Sequence, residues 1–455
     1  MMKDFIKNRQ FLFILLLSLI VSFVLFGNTI KNDFVFDDNA VVKNRGDLKD
    51  ISNIFNLFVS PYHQNMPQTG LYRPFTMATY ALNHAIFGTE PKNFHVTNII
   101  IHAINSFLVF WFVRQFLKSD KLAYLSFVLF LVHPIHTEAV SWIVGRAELL
   151  AFMWGLIAVY FYLKSDRLLY SMAFLFDLWS KESAIIFLPL LVYLDFNFRG
   201  TAFLKSIFKS FYFLAPIAVY SVLRFWALGK HFFGDATTTL VENQIKFLDF
   251  GARIATALKV LFMYLAKLLW PIHLSADYSY NTIQNVSNIF GSPESIIGLI
   301  IFVGAIYVML SRRTRGTAIG FGVALFLIPY LMISNLIFSV GTIMGERLMY
   351  FPSLGLIILL VYLFNCLISS GNEYSSQQAA RHQEAASPLD AAVSSGVFTP
   401  FSFARTKYKK FCILLLARKN KNLSRIGYAL LILVVGFWSA RTVIRNQDWR
   451  DAKTL

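Results

Sequence analysis

Apolar runs of roughly 20 residues recur along this chain, separated by short loops rich in Lys and Arg, and this pattern decides what it can fold into. A helix needs about 20 mostly apolar residues to cross a bilayer. Runs that approach or meet this length lie at 11–26, near 94–117, 122–138 and 147–163, up to about 198, at 295–310 and 316–337, from Leu348 onward, and near 423–440. Lipid offers no partners to backbone N–H and C=O groups, so such runs must become helices. Composition agrees: 56% of the residues are hydrophobic, 15% are charged, and 47 are Phe. A soluble domain carries about 25% charged residues, so this chain could not cover its surface with polar groups. The expected fold class is all-α, a polytopic membrane helix bundle.

The net charge of +17 is spread between apolar runs rather than gathered in one domain. That distribution argues against nucleic acid and for the positive-inside bias of membrane proteins. The basic loops hold Lys118 and Lys121; Lys164 and Arg167; Arg199, Lys205 and Lys209; Arg312, Arg313 and Arg315; and the set from Lys407 to Lys421. All fall on one side if the chain crosses about 11 times, with the N-terminus inside and the C-terminus outside. Lys3, Lys7 and Arg9 precede the first run, and no small-residue cleavage site follows it, so it is expected to be retained rather than removed as a signal peptide. The stretch 252–273 is long enough to span but contains Arg253, Lys259 and Lys267, and is expected to lie in the outer interface or re-enter. Segment 168–179 is short for a span. Residues 31–93 read as a long outer loop with surface helices at 50–58 and 74–87. Residues 371–422 read as a flexible cytoplasmic linker, rich in Ser, Ala and Gln at their start.

Charges in or beside spans are costly, so each is a candidate for function. Four clusters fall on the expected outer side. Asp37-Asp38 follows the first run closely; the pair suits a proton acceptor or a plain solvated turn. His133-Pro134-Ile135-His136-Thr137-Glu138 leads through Trp142 to Arg146 and Glu148, with Pro134 expected to break or kink the helix. Beyond Pro134, the spacing of four would put Glu138, Trp142 and Arg146 on one helical face. Two His and a Glu could ligate metal, but the spacing of zinc enzymes is missing; substrate hydrogen bonding or a structural polar network fits better. Lys181-Glu182 could serve a site or an exposed loop. Glu346-Arg347 opens the run from Leu348, where the Arg could snorkel or hold a lipid phosphate through its planar fork. Taken together, these clusters describe an outer-leaflet site with carboxylates, a cation for phosphate and aromatic rings. No cofactor or metal is required.

At these residues the chain resembles a known family. The strings FVFDDNAVV, LYRPFTMATYALNH, FHVTNIIIHAIN, HPIHTEAVSWIVGRAELLA, SKESAIIFLPLLVY, LWPIHLSADYSY, GERLMYFPSLG and RNQDWRDAKTL occur in order. They are similar to the membrane portion of the transmembrane and tetratricopeptide-repeat O-mannosyltransferases and their bacterial relatives, within the GT-C superfamily. The resemblance runs from about residue 30 to the end. It implies a GT-C fold in residues 1–370, a last transmembrane helix and outer tail in 423–455, and a bacterial inner membrane or endoplasmic reticulum location. It implies transfer of a sugar, mannose in the eukaryotic members, from a polyprenyl-phosphate donor to an acceptor hydroxyl on protein or glycan. The catalytic acid residue would be Asp37 or Asp38, and His133, His136, Glu138, Arg146, Lys181, Glu182, Glu346 and Arg347 would bind substrate as a group. The family usually continues into tetratricopeptide repeats that present protein acceptors; the sequence stops at Leu455 without them, which leaves two readings open, a truncated chain or one lacking an acceptor-binding domain. A different class remains open: a transporter or flippase of lipid-linked sugars would bind with the same charges and not react. It would place charges near the bilayer midplane and show inverted repeats.

Overall fold

The computed structural model describes residues 9–234, 238–337, 339–384 and 421–454. Its α-helices are α1 (Arg9–Phe26), α2 (Pro74–Phe87), α3 (Pro91–Leu117), α4 (Asp120–Val132), α5 (Thr137–Ser141), α6 (Arg146–Leu163), α7 (Arg167–Ser180), α8 (Phe187–Phe198), α9 (Phe203–Ser210), α10 (Leu214–Leu228), α11 (Phe250–Leu269), α12 (Pro293–Leu310), α13 (Ala318–Ile333), α14 (Pro352–Glu384) and α15 (Lys421–Arg445), joined by short 3-10 turns. Six helical segments among the described residues are long and apolar enough to cross a membrane: Arg9–Lys31, Pro91–Leu117, Ile143–Leu163, Phe203–His231, Pro293–Leu310 and Ser424–Trp449. A further candidate is bent by 51° between α4 and the segment Pro134–Ser141. The chain is an integral, multi-pass membrane protein with an all-helical architecture. Most of the expected linker, residues 385–420, lies outside the described residues; α14 runs to Glu384.

Close helix contacts explain why small residues sit where they do. A Cβ on Gly355 would lie 2.2 Å from the Phe326 nitrogen and 2.4 Å from the Gly322 carbonyl, so α13 and α14 meet backbone to backbone. Between apolar helices in lipid, such packing replaces the missing hydrophobic drive. The central core then gathers Phe, Leu and Val from α3, α4, α6, α7, α8, α13 and α14.

Two ends of the bundle differ in chemistry. At one end the basic loops touch one another. Arg114 pairs with Asp120 at 2.7 Å and covers Phe11; Lys209 and Arg199 pair with Asp195 at 3.1 and 3.3 Å; Arg315 covers Phe196 at 3.9 Å. Tyr162 donates to the same Asp195 at 2.6 Å, which brings the end of α6 into the cluster. At the other end the loop 31–73 folds over α2 and forms its own core of Phe34, Val35, Val42, Leu57, Met77 and Tyr80, with Trp142 and Trp449. Each such side chain withdrawn from water is worth about 1.5–3 kcal/mol, so this loop is a packed layer rather than a tether. The expected surface helices appear as a 3-10 segment, Ile51–Val59, and as α2, whose inner side is buried.

Helix α11, with its three basic residues, is not among the helices apolar enough to span. Both of its ends meet this second layer's neighbours. Arg253 donates to the Asn335 carbonyl at 3.0 Å, Ser295 donates to the Ala255 carbonyl at 2.9 Å, and the Leu268 carbonyl contacts His133 at 3.0 Å. One expectation fails. Glu138, Trp142 and Arg146 do not share a helical face, because α5 ends at Ser141 and Trp142 is extended (φ −84°, ψ 126°) before α6 begins. Pro134 breaks the helix, and the second break at Trp142 redirects Arg146.

The positive-inside rule predicts that the basic end faces the cytoplasm. Accordingly, a single cysteine replacing Thr201 should react with a membrane-impermeant thiol reagent only from the cytoplasmic side, and one replacing Ser287 only from outside. Labelling of the Ser287 variant from the cytoplasmic side would contradict this orientation.

Candidate active site

Breaks in the helices at Pro134 and Trp142 lower Glu138 into the protein, where it is fully buried. It accepts the Arg347 backbone N–H at 2.9 Å and forms an ion pair with the Arg347 guanidinium, linking segments 209 residues apart. Arg347 is 28% exposed in its side chain, and its guanidinium lies 4.9 Å from the centre of the Trp142 ring. Burial alone would weaken its hold on the proton, but Glu138, Glu148 and Asp37 reverse that and raise it. The Asp37 and Glu148 charges therefore act on the same cation as Glu138.

The aspartate pair divides. Asp38 is buried, accepting the Val35 N–H at 3.1 Å and the Val144 N–H at 2.9 Å, and so it pins the first loop to the turn before α6. Burial pushes its carboxyl up to about 8 against those two donors. Asp37 is exposed. Phe36, just before it, has φ +44°, a left-handed conformation that costs an L-residue about 1–2 kcal/mol.

Lys181 and Glu182 also point to different partners. Lys181 pairs with Glu148 on α6. Glu182 takes a two-pronged bond from Arg73, at 2.9 and 2.6 Å, and the Arg73 guanidinium lies 5.1 Å from the Tyr62 ring centre. Burial raises Glu182, but Arg73 and Lys181 outweigh it and hold the carboxyl near 2. Burial lowers Lys181, with Glu148 opposing. Below this pair opens a small cleft of about 40 Å³, with Glu148, Lys181 and Asp177 at its polar side. Phe152, Phe187, Met332, Leu348 and Phe351 form apolar walls.

The remaining expected residues face elsewhere. His133 and His136 are buried and turned into the bundle. His133 contacts the Leu268 carbonyl at 3.0 Å and accepts the Ile135 N–H at 3.1 Å; His136 bonds the Phe130 carbonyl at 2.9 Å and the Ser353 hydroxyl at 2.8 Å. Each ring nitrogen already has a partner. Arg146 is buried, donating to Asn98, Asn83 and the Phe94 carbonyl at 2.8, 2.5 and 3.1 Å, with the Tyr80 ring centre 4.6 Å away. Glu346 is buried and accepts from Tyr278 and the Ser275 N–H at 2.5 and 2.7 Å, with Arg445 at 3.5 Å. Burial raises it to about 7 against Arg445. No group of three or more His, Cys, Asp or Glu residues among the described residues is placed to hold a metal ion.

Sequence reasoning missed Arg73, Phe36, Trp449 and Asp177. Arg73 sits beside a proline in a loop and gives no sign of its partner. Asp177 is the one acidic residue in α7, and a lone carboxylate in an apolar helix is the signal that could have found it. Its two oxygens have no hydrogen-bond partner, and it lines the cleft.

Comparison with known proteins finds no matching family model. The chain is 27% identical over 364 residues to a protein O-mannosyl-transferase of Caenorhabditis elegans, covering 78% of this chain and 51% of that one. It is 25% identical over 381 residues to the human protein O-mannosyl-transferase TMTC3, covering 74% and 40%. It is 23% identical over 531 aligned positions to the mouse protein O-mannosyl-transferase TMTC2, covering 97% and 57%. The resemblance read from the motifs thus extends over most of the chain, which spans about half the length of the curated relatives it matches. Among solved structures, ArnT from Cupriavidus metallidurans bound to undecaprenyl phosphate aligns with 96% of this chain and 75% of its own, at 13% identity and a TM-score of 0.46.

Two outcomes test the structural roles. Asp38 has a folded value near 8 against 3.8 for the free side chain, so the folded state holds an extra proton between those values. Stability must then fall as pH rises from about 4 through about 8. Thermal melting of wild type should drop more over this window than melting of Asp38→Asn, which cannot ionise; equal drops would exclude the coupling. Arg146→Ala should strand several buried acceptors at about 1–3 kcal/mol each and lower the melting temperature well below that of wild type.

Proposed function

We propose that the chain is a glycosyltransferase that moves mannose from a polyprenyl-phosphate donor to a Ser or Thr hydroxyl of a protein acceptor at the outer membrane face. The observation that carries this reading is the gathering at one end of the bundle of the exposed Asp37 carboxylate, the partly open Arg347 guanidinium over Trp142, and the Glu148–Lys181 pair that lines an apolar cleft. Similarity to proteins named O-mannosyl-transferases supports the reaction class and the acceptor. Apolar cleft walls suit a polyprenyl chain, and Arg347 and Lys181 suit its phosphate.

The reaction is a single displacement. Asp37 takes the acceptor's hydroxyl proton as the oxygen attacks the anomeric carbon. The bond from that carbon to the phosphate oxygen breaks, and its electron pair leaves on the lipid phosphate, so configuration inverts. A positioned base contributes about 10²–10⁴ in rate. Arg347 and Lys181 meet the charge gathering on the phosphate, and one such preorganised donor is worth about 3–4 kcal/mol. Both cations are held at rest by carboxylates, Glu138 and Glu148, which fix their direction before substrate arrives. Asp38 acts by position, setting the turn that exposes Asp37.

Asp37→Asn keeps the side chain's shape but cannot accept a proton at neutral pH. It should lower transfer by about 10² or more while leaving donor affinity within a few fold. Arg347→Ala should weaken both donor affinity and turnover, and Arg347→Lys should recover only part, because the planar fork is lost. Donor binding and transfer rate, measured on each purified variant, check both. An Asp37→Asn enzyme that retains wild-type transfer would exclude Asp37 as the base.

A further inference from the structure

The first loop spends conformational strain on an aromatic ring that it then leaves in the open. Phe36 has φ +44° and is 49% exposed, although the core of Phe34, Val35 and Trp142 lies beside it. Neither neighbour needs this: Val35 is buried and Asp38 already fastens the turn to Val144. Strained residues of this kind persist where the surroundings over-determine them, and they gather at functional sites. Here the surroundings are two indoles. The Phe36 ring meets Trp142 at 6.2 Å and 69° and Trp449 at 6.3 Å and 65°, while the indoles stack on each other at 5.5 Å and 26°. Steeply inclined contacts with both indoles support the ring. Trp142 also carries the Arg347 guanidinium, 4.9 Å from its centre. The aromatic shelf therefore joins the residue next to the proposed base to the cation proposed to hold the phosphate.

We infer that Phe36 presents the ring face on which the donor sugar rests at the moment of transfer, and that this face stabilises the positive charge on the anomeric carbon. The inference rests on the reading of the chain as a glycosyltransferase. Between base and phosphate clamp the reacting centre must be the anomeric carbon, and glycosyl transfer passes through an oxocarbenium-like state. An aromatic face attracts a cation and packs well against the C–H bonds of a pyranose. Asp37 cannot play this part while it takes the acceptor's proton, and Arg347 and Lys181 carry the wrong sign. Phe36 meets the requirement with no formal charge, which would otherwise pair with Arg347.

The test uses the full chain, polyprenyl-phosphate mannose and a Ser/Thr peptide, with wild type, Phe36→Leu, and chains carrying progressively fluorinated phenylalanine at position 36. Leu keeps apolar bulk and lacks the ring face; fluorination keeps the ring's shape and drains its face of negative charge. Phe36→Leu should lose kcat by about 10- to 30-fold, the rate equivalent of a desolvated cation–aromatic contact, with donor affinity within about threefold. The fluorinated series should lose kcat stepwise with each added fluorine. If Phe36→Leu does not fold, the fluorinated series alone decides. Wild-type kcat throughout the fluorinated series, or an effect confined to the peptide's KM, would overturn the inference and leave the transferase reading intact. Absence of transfer by wild type would overturn the reading itself.

Discussion

A charge taken out of water is costly unless it finds a partner inside the protein, and at this end of the bundle the chain meets that demand by pairing residues that are far apart in sequence. A lone charge at mid-helix costs about 2.5–3.5 kcal/mol on insertion scales, and breaking a buried pair costs about 3–5 kcal/mol. Glu138 with Arg347, Glu148 with Lys181, Arg73 with Glu182, and Glu346 with Arg445 each join separate segments. These four contacts bind the first loop, the broken helix after α4, the turn between α7 and α8, the strand of chain before α14, and the end of α15. The same contacts that close the fold at this end also aim its cations. A substrate phosphate would enter a field in which each cation already faces a carboxylate, so its own charge must compete for the guanidinium's and the ammonium's open sides.

The tail after α15 is part of this end rather than an appendage. Asn446 donates to the Leu25 carbonyl at 2.8 Å and takes a bond from Ser141 at 3.0 Å; the Asp33 N–H donates to the Arg450 carbonyl at 2.9 Å. Trp449 completes the aromatic shelf on which Phe36 rests. Position along the chain thus says little about position in the site: residues 33–38, 142–148, 181 and 445–450 meet within one layer.

Much of the bundle was legible because its signal is additive. Runs such as Phe11–Phe26 and Pro293–Leu310 are apolar along their whole length, and basic residues mark the turns at one end. The site was legible by residue type but not by direction. Arg146 and Arg347 look equivalent in sequence, yet one is clamped among asparagines and a carbonyl while the other stays partly exposed beside Glu138 and Trp142. That difference arises from the break at Trp142, where Gly145 turns back against Ala139 with no room for a Cβ and the indole stacks on Trp449, more than 300 residues later. Likewise Asp37 and Asp38 are adjacent and identical in type, yet only Asp38 finds inward donors, the Val35 and Val144 N–H groups, and consecutive residues of the helical turn they enter point to different sides. His133 and His136 read as site residues because polar groups in apolar surroundings invite function; their nitrogens are taken up by the Leu268 and Phe130 carbonyls, the Ile135 N–H and the Ser353 hydroxyl.

The central claim is that this end of the molecule carries out chemistry and does not merely hold a lipid-linked sugar. The most direct measurement incubates the purified full chain with labelled polyprenyl-phosphate mannose and a mixture of Ser/Thr peptides. Label should pass to a peptide hydroxyl with the anomeric configuration inverted relative to the donor. Label that stays on the lipid, while the chain reconstituted in vesicles moves the intact donor from one leaflet to the other, would contradict the account and identify a transporter.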